Sequence, residues 1–186
     1  MSLKELMELA ELIKNKELRK KVKEVLLKPA LSNPNFKYRP ASLTEVPASI
    51  NWHHIERGGL IKHTVAVTKL CIKFAEVYEE VYGKKLDKDS LIAAALLHDI
   101  GKLWTYEKKG KAWRETNINL DHTMLGTAEL YARGFPESVI HIVASHFGEN
   151  GPTPPQTPEA ILFHYIDTMD AVMEGNALQE AILRIF

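Results

Sequence analysis

The fold class predicted by this sequence is an all-α bundle of six or seven helices carrying one small β-hairpin near 103–116. Three observations predict it. Apolar residues recur at steps of three and four along most of the chain, the signature of helices with one buried face. Glycine and proline interrupt those runs at helix-length intervals. One stretch only, "LWTYEKKGKAWRET", alternates aromatic and polar residues on either side of "KKGK", as a hairpin requires.

Taken in order, residues 3–27 predict a first helix, with Leu3, Leu6, Met7, Ala10 and Ile13 followed by Leu18, Val22, Val25 and Leu26. Pro29, Pro34 and Pro40 make 28–57 mostly irregular. Gly58 and Gly59 precede a long helix whose stripe is Leu60, His63, Val67, Leu70, Phe74, Val77 and Val81, ending at Gly83. Asp87 is placed to cap the next helix, which runs through "SLIAAALLHD" and stops at Gly101. After the hairpin, helices resume at 121–133, at 136–147 and at 158–174. The last has Thr157 as its cap and Pro158 at its first position. Between the last two lies the proline-rich loop "GENGPTPPQTP".

Composition bounds the function. A chain of 186 residues suits one domain, spanning 1–186, and 45% hydrophobic with 26% charged residues is ordinary for a soluble protein. Twenty-four basic and 24 acidic residues cancel, so no global field recruits nucleic acid or anionic membrane, although a local groove can still be basic. The single cysteine, Cys71, excludes an internal disulfide framework and a multi-cysteine zinc site. No apolar run approaches the roughly 20 residues that span a bilayer, and "MSLKELMELAELIK" lacks the apolar core of a secretory signal. A cytoplasmic location is the expectation.

Eight histidines is a high count, and their positions carry the argument. His63 lies within an apolar stripe, His98 and Asp99 end the next helix, His122 opens another, His146 closes the stripe after Val139 and Val143, and Asp167 sits inside "ILFHYIDTMDA". These sites are spaced 35, 24, 24 and 21 residues apart, so each falls on a different helix. Taken singly, each has an ordinary explanation: a hydrogen-bonded core histidine, a helix-end aspartate, or an aspartate paired with a buried Arg or His. Five helices each carrying an inward imidazole or carboxylate is a pattern those explanations handle poorly. Four histidines and two aspartates without a thiolate suit Mn, Fe, Ni, Co or Mg better than a structural zinc, and helical bundles build such centres from facing helices. Asp99 is placed to bridge two ions while His98 anchors one.

The ordered set His63, His98–Asp99, His122, His146 and Asp167 resembles the HD superfamily of metal-dependent phosphohydrolases. The stretches "PASINWHHIERGGLIKHTVAV", "LLHDIGK", "SHFGENG" and "TPEAILFHYIDTMDA" are similar to the HD domain of the YhaM-type bacterial 3′–5′ exoribonucleases, over about 36–174. The resemblance implies a helical fold holding one or two divalent metals. His63, His98, Asp99 and Asp167 would hold the first; His122 and His146 would join Asp99 around the second. Two departures stand out. The 35 residues before Phe36 form a helix and a loop where those exoribonucleases carry an oligonucleotide-binding domain, and Phe147 stands where the family often has a further histidine.

The expected activity is therefore hydrolysis of a phosphate ester of a nucleotide or nucleic-acid end by metal-activated water. Neutral charge and the missing oligonucleotide-binding domain favour a small substrate, such as a nucleoside monophosphate or a cyclic nucleotide. The alternatives are a 3′–5′ exoribonuclease on short RNA and a non-catalytic nucleotide-binding module with a structural metal. Asp99 and Lys102 are the catalytic candidates. Lys102 either meets a phosphate oxygen or is a solvated helix-end lysine. His54 and Arg57 are the further substrate-binding candidates, with His53 beside them at the mouth. His141 is expected on the surface and His164 as a core or supporting residue, and Asp170 is a rival to Asp167. Trp104, Tyr106 and Trp113, read as hairpin residues, either stack a base or pack the hairpin on the bundle. A homo-oligomer is left open, and no membrane partner is expected.

Overall fold

Capping chemistry starts most of the helices in the computed structural model, which describes residues 1–175. Asn15 accepts hydrogen bonds from the backbone N–H groups of Glu17 and Leu18 and so begins a helix of its own. The predicted helix over 3–27 is thus two helices, α1 (Leu3–Ala10) and α2 (Lys16–Leu27). The break is held from outside, because the backbone N–H groups of Lys14 and Asn15 each donate to the Asp89 carboxylate at 2.8 Å. Helical periodicity continues on both sides of the corner, which is why the pattern reads as one element.

Residues 28–57 are irregular, as expected, and groups distant in the chain hold them. Glu129 accepts from the Ser32 N–H and hydroxyl, both at 2.7 Å, and the Ala41 N–H donates to the Leu103 carbonyl at 2.6 Å.

The long helix α3 (Gly59–Tyr82) buries Leu60, His63, Val67, Cys71 and Ala75. The predicted stripe holds only as far as Val67, since Leu70, Phe74, Val77 and Val81 are exposed. The small side chains of Cys71 and Ala75 let α3 approach its neighbours closely, and the larger apolar residues flank that contact. Next, α4 (Lys88–Leu97) is capped by Asp87 and buried from Ser90 to Leu97, a helix apolar all round at the centre of the bundle. It packs on α2, α3, α7 and α8.

A single helical turn, α5 (Lys102–Thr105), follows the His98–Asp99 corner and leads into the hairpin β1 (Tyr106–Lys109) and β2 (Ala112–Glu115). The hairpin is therefore shorter than 103–116. Leu103 and Trp104 are fully buried in α5, so Trp104 lies beneath the hairpin rather than on it. The remaining helices are α6 (His122–Ala132), α7 (Glu137–Ala144) and α8 (Pro158–Met173), with a 3₁₀ turn over Gly148–Asn150. Helices α3 and α8 run antiparallel. Glu159 accepts the Asp87 N–H at one end of the pair, and His63 meets Asp170 at the other. No helix among the described residues is long and apolar enough to cross a membrane.

Candidate metal centre

Five separate elements deliver the six expected residues to one place. His63 comes from the second turn of α3, His98 and Asp99 from the corner after α4, and His122 from the first turn of α6. His146 follows α7 and Asp167 lies on α8. They form two triads. In the first, His63 Nε2 lies 3.2 Å from His98 Nε2 and 2.9 Å from Asp167 Oδ1, with His98 Nε2 to Asp167 Oδ1 at 3.4 Å. The second comprises Asp99, His122 and His146, with Asp99 Oδ1 3.2 Å from His122 Nε2. Asp99 belongs to both surroundings, because its Oδ2 lies 3.3 Å from His98 Nε2 and 3.7 Å from His63 Nε2.

The imidazoles are aimed by what holds their other nitrogen. Nδ1 of His98 donates to the Ala95 carbonyl at 3.0 Å and Nδ1 of His146 to the Val143 carbonyl at 2.8 Å. Nδ1 of His63 donates to Asp170 Oδ2 at 2.7 Å. Carbonyls and carboxylates only accept, so each neutral ring carries its hydrogen on Nδ1 and turns the Nε2 lone pair inward. Metal-binding histidines usually donate their other ring N–H to a carbonyl or carboxylate in this way. Asp167 and Asp170 are therefore not rivals. Three residues apart on one helix face, one enters the triad and the other orients His63. That spacing in "YIDTMDA" was the available signal.

Charge in the site is strongly coupled. Burial opposes ionisation of Asp99, yet the Lys102 ammonium and His98 hold its carboxyl well below the usual range. Asp167 is likewise held ionised against burial by His63 and His98. Burial alone would lower His98, but Asp99 and Asp167 outweigh it and raise that imidazole to about 10. Burial keeps His146 neutral, down at about 4, and also lowers His122, with Lys102 adding to the effect.

These residues fit a divalent ion. Asp99 Oδ1 and His122 Nε2 are buried and make no hydrogen bond among the described residues. Nitrogen and oxygen donors without sulfur match hard or borderline cations. Cys71 is buried on α3, where burial pushes its thiol pKa up.

A cavity of about 410 Å³ opens on both triads and is also lined by Trp52, His53, Tyr106, Phe147 and His164. Lys102 reaches it too. The lysine is 6% exposed, with Nζ 2.7 Å from Asp99 Oδ2, which removes the solvated alternative. Two expected mouth residues lie elsewhere. Arg57 is exposed and paired with Glu45 at 2.6 Å, away from the cavity. His54 is buried behind His53, its Nδ1 3.1 Å from His53 Nδ1 and its Nε2 3.7 Å from Asp170. The chain turns through a left-handed conformation at His54 (φ 45°), and Gly59 packs on the His54 carbonyl, where a Cβ would lie 1.9 Å away. That turn puts His53 on the wall and His54 behind it. His141 is half-buried rather than on the surface and accepts the Gln156 N–H at 3.0 Å, tethering the proline-rich loop. His164 donates from Nδ1 to the His146 carbonyl at 2.7 Å. Phe147 packs against the rings of His122 and His146.

Residues 60–172 match the HD domain. The chain belongs to the HD-domain family. As an HD-domain protein it is a hydrolase acting on phosphate ester bonds. It is 49% identical over 176 residues to the dihydroneopterin 2′,3′-cyclic phosphate phosphodiesterase of Methanocaldococcus jannaschii, covering 94% of this chain and 71% of that one. It is 29% identical to the 3′–5′ exoribonuclease YhaM of Bacillus subtilis and 30% identical to that of Oceanobacillus iheyensis, covering 83% and 90% of this chain. The chain spans only 54% and 58% of those two relatives. No solved structure matches it significantly. Within the matched span Asp99 lines the cavity, and His98 stands behind it with Nε2 3.3 Å from Asp99 Oδ2.

Proposed function

We propose that this HD-domain chain is a metal-dependent phosphodiesterase that opens a cyclic phosphate on a small nucleotide-like substrate. The observation that carries the reading is Asp99, whose two oxygens face two different nitrogen-rich triads within one cavity. His63, His98, Asp99 and Asp167 are the residues assigned to one divalent ion, and Asp99, His122 and His146 to a second. When bound, such a pair supplies Lewis acidity and a lowered pKa for water at neutral pH.

The chain's own residues supply the rest. Asp170 and the Ala95 and Val143 carbonyls fix the ring orientations, so the donor atoms need little rearrangement. Lys102 neutralises Asp99 and presents an ammonium to the cavity, where a phosphoryl oxygen would meet it. His53 is a neutral ring on the wall, its pKa lowered to about 3 by burial and the nearby His63, suited to accept a hydrogen bond from a substrate hydroxyl. The identity with the archaeal cyclic phosphate phosphodiesterase, 49% over nearly the whole chain, favours a cyclic phosphate over a long RNA. The cavity, about 410 Å³, suits a small ligand. The single, buried Cys71 agrees with a cytoplasmic setting. Hydrolysis of a short RNA 3′ end is the second reading, favoured by the matches to the exoribonucleases.

The test is a panel of bis-p-nitrophenyl phosphate, dihydroneopterin 2′,3′-cyclic phosphate, 2′,3′-cyclic AMP, AMP and a five-nucleotide RNA, each with Mn, Fe, Ni, Co or Mg. Turnover of the cyclic phosphates, lost by at least ~10³-fold in Asp99→Asn, is the expected result. Metal-loaded protein that turns over none of the panel overturns the enzymatic reading. Asp99→Asn with full activity overturns the assignment of the centre.

A further inference from the structure

Beside the metal centre lies a second cleft that the proposed reaction does not use. Its floor is α5, the same single turn that sends Lys102 into the metal cavity and presents Trp104 on the other side. One wall is the irregular segment 37–42, and the other is the hairpin through Tyr106, Lys108 and Trp113. The cleft encloses about 370 Å³. Its walls are tied to the floor. The Ala41 N–H donates to the Leu103 carbonyl at 2.6 Å, the Thr116 N–H to the Thr105 carbonyl at 2.8 Å, and the Thr116 hydroxyl to the Trp104 carbonyl at 2.9 Å.

Two independent features point to one ligand chemistry. The first is charge. Among the described residues Lys37 and Arg39 form no ion pair and no side-chain hydrogen bond, whereas the two acids of the cleft are each paired with cations, one of them Lys108 of the cleft wall. Glu45 holds Arg57 and Lys108, and Glu107 holds Arg114. The second is flat apolar surface. Tyr38 stands between the two cations and is 42% exposed, and Trp113 and Tyr106 are half-buried opposite.

We propose that this cleft is a nucleotide-binding subsite. A planar base packs on Tyr38 and Trp113, and a phosphate pairs with Lys37 and Arg39. Base–aromatic stacking combined with cationic phosphate contacts is how proteins hold nucleotides without reading sequence. Tyr106 lines this cleft and the metal cavity alike, and a smaller space bounded by Thr116 and His122 lies between them. The nucleotide has two possible sources: a free mononucleotide, or the next unit of a short strand whose scissile phosphate lies at the metal centre. The subsite goes beyond the phosphodiesterase reading and is measured by binding alone, so the two fail separately.

The experiment titrates the Mn-loaded protein at 0.15 M salt with AMP and with a phosphorothioate five-nucleotide RNA, reading tryptophan fluorescence. It is repeated on the double variant Lys37→Ser/Arg39→Ser and on the charge-preserving Lys37→Arg/Arg39→Lys. These are exposed loop positions, and the melting temperature of each variant checks the fold. The expected result is at least a tenfold loss of affinity in the serine variant, about one lost phosphate pair's worth, with recovery to within threefold in the charge-preserving one. Loss confined to AMP supports a free nucleotide, and loss for both with the RNA binding more tightly supports a strand. Serine-variant affinities within twofold of wild type for both probes overturn the proposal. So does equal loss in the charge-preserving variant.

Discussion

Asp170 separates a positioning role from a direct one. The carboxylate accepts from His63 Nδ1 at 2.7 Å in a site where both residues are buried. A charge-assisted hydrogen bond of this kind contributes ~1.5–3 kcal/mol. Asp170→Ala removes the acceptor and leaves a buried N–H unpaired, so the ring loses both its orientation and its enhanced basicity. Passed on to metal binding, that energy is a ~10–100-fold loss of affinity, the range typical for residues that orient a metal-binding histidine. Asp170→Asn keeps an amide oxygen that accepts from Nδ1 but removes the charge, so a smaller loss, about fivefold, is expected. Asp170 also favours protonated His63, together with Asp167 and against the effect of burial. Its removal therefore lessens proton competition and offsets part of the loss. Measurement at pH 8 limits that offset. Calorimetric titration with Mn, metal content after dialysis, and thermal unfolding of the EDTA-treated variants together make the assay. If Asp170→Ala binds Mn with wild-type stoichiometry and affinity within twofold, His63 is not oriented through Asp170 for metal binding.

Metal binding is also expected to release a proton. With its pKa near 10, His98 is protonated at pH 7 in the metal-free protein, and a ligand must offer a lone pair. Apparent affinity therefore rises with pH, by up to tenfold per unit for one proton, and calorimetric enthalpies must differ between buffers of different ionisation heat. Identical enthalpies would refute this. Removing metal with EDTA should lower the melting temperature by roughly 5–10 °C relative to protein with free ion at about 100 times Kd, from ~2.7 kcal/mol of linkage. An unchanged transition would show that the ion is not bound preferentially by the folded state. Gly101→Ala would set a Cβ 2.1 Å from the His122 carbonyl, and backbone cannot yield as a side-chain tip can. A loss of about 1–3 kcal/mol in urea unfolding and impaired loading of the second triad follow, and wild-type values for both would contradict the packing described.

The gathering of the six residues was legible in sequence because they are distributed one or two to an element, along or at the ends of apolar runs. What escaped the sequence depended on contacts distant along the chain. The corner at Asn15 needs Asp89, 74 residues away, to hold it. Lys102 reads as a lysine just past a helix and Trp104 as a hairpin aromatic. Lys102 is buried against Asp99 at the metal cavity, and Trp104 beneath residues 37–42 and the hairpin that are tied to α5. His54 and Arg57 stand close to His63 in sequence, but a left-handed turn at His54 directs one behind the wall and the other to the surface. On α3, apolar periodicity runs on through Val81, while burial follows the small residues Cys71 and Ala75. Periodicity marks a helix face without saying how far the packing extends along it.

The two triads differ in the charge available to a cation, and Asp99 is the reason. The first triad contains Asp167 as an inner carboxylate and has Asp170 behind His63, so two acids serve it without reference to Asp99. The second has His122 and buried His146, both with lowered pKa, and only Asp99 as its acid. That acid is already engaged by Lys102, whose Nζ is nearer to Asp99 than either imidazole of the second triad is shown to be. A cation at the second triad thus shares its one carboxylate with an ammonium and with the first triad. Lys102 is also the cation best placed to leave Asp99 for an incoming phosphate, since it lines the same cavity. Substrate charge would then relieve the competition at Asp99, so the arrangement couples a phosphoryl group in the cavity to the second triad through a single side chain.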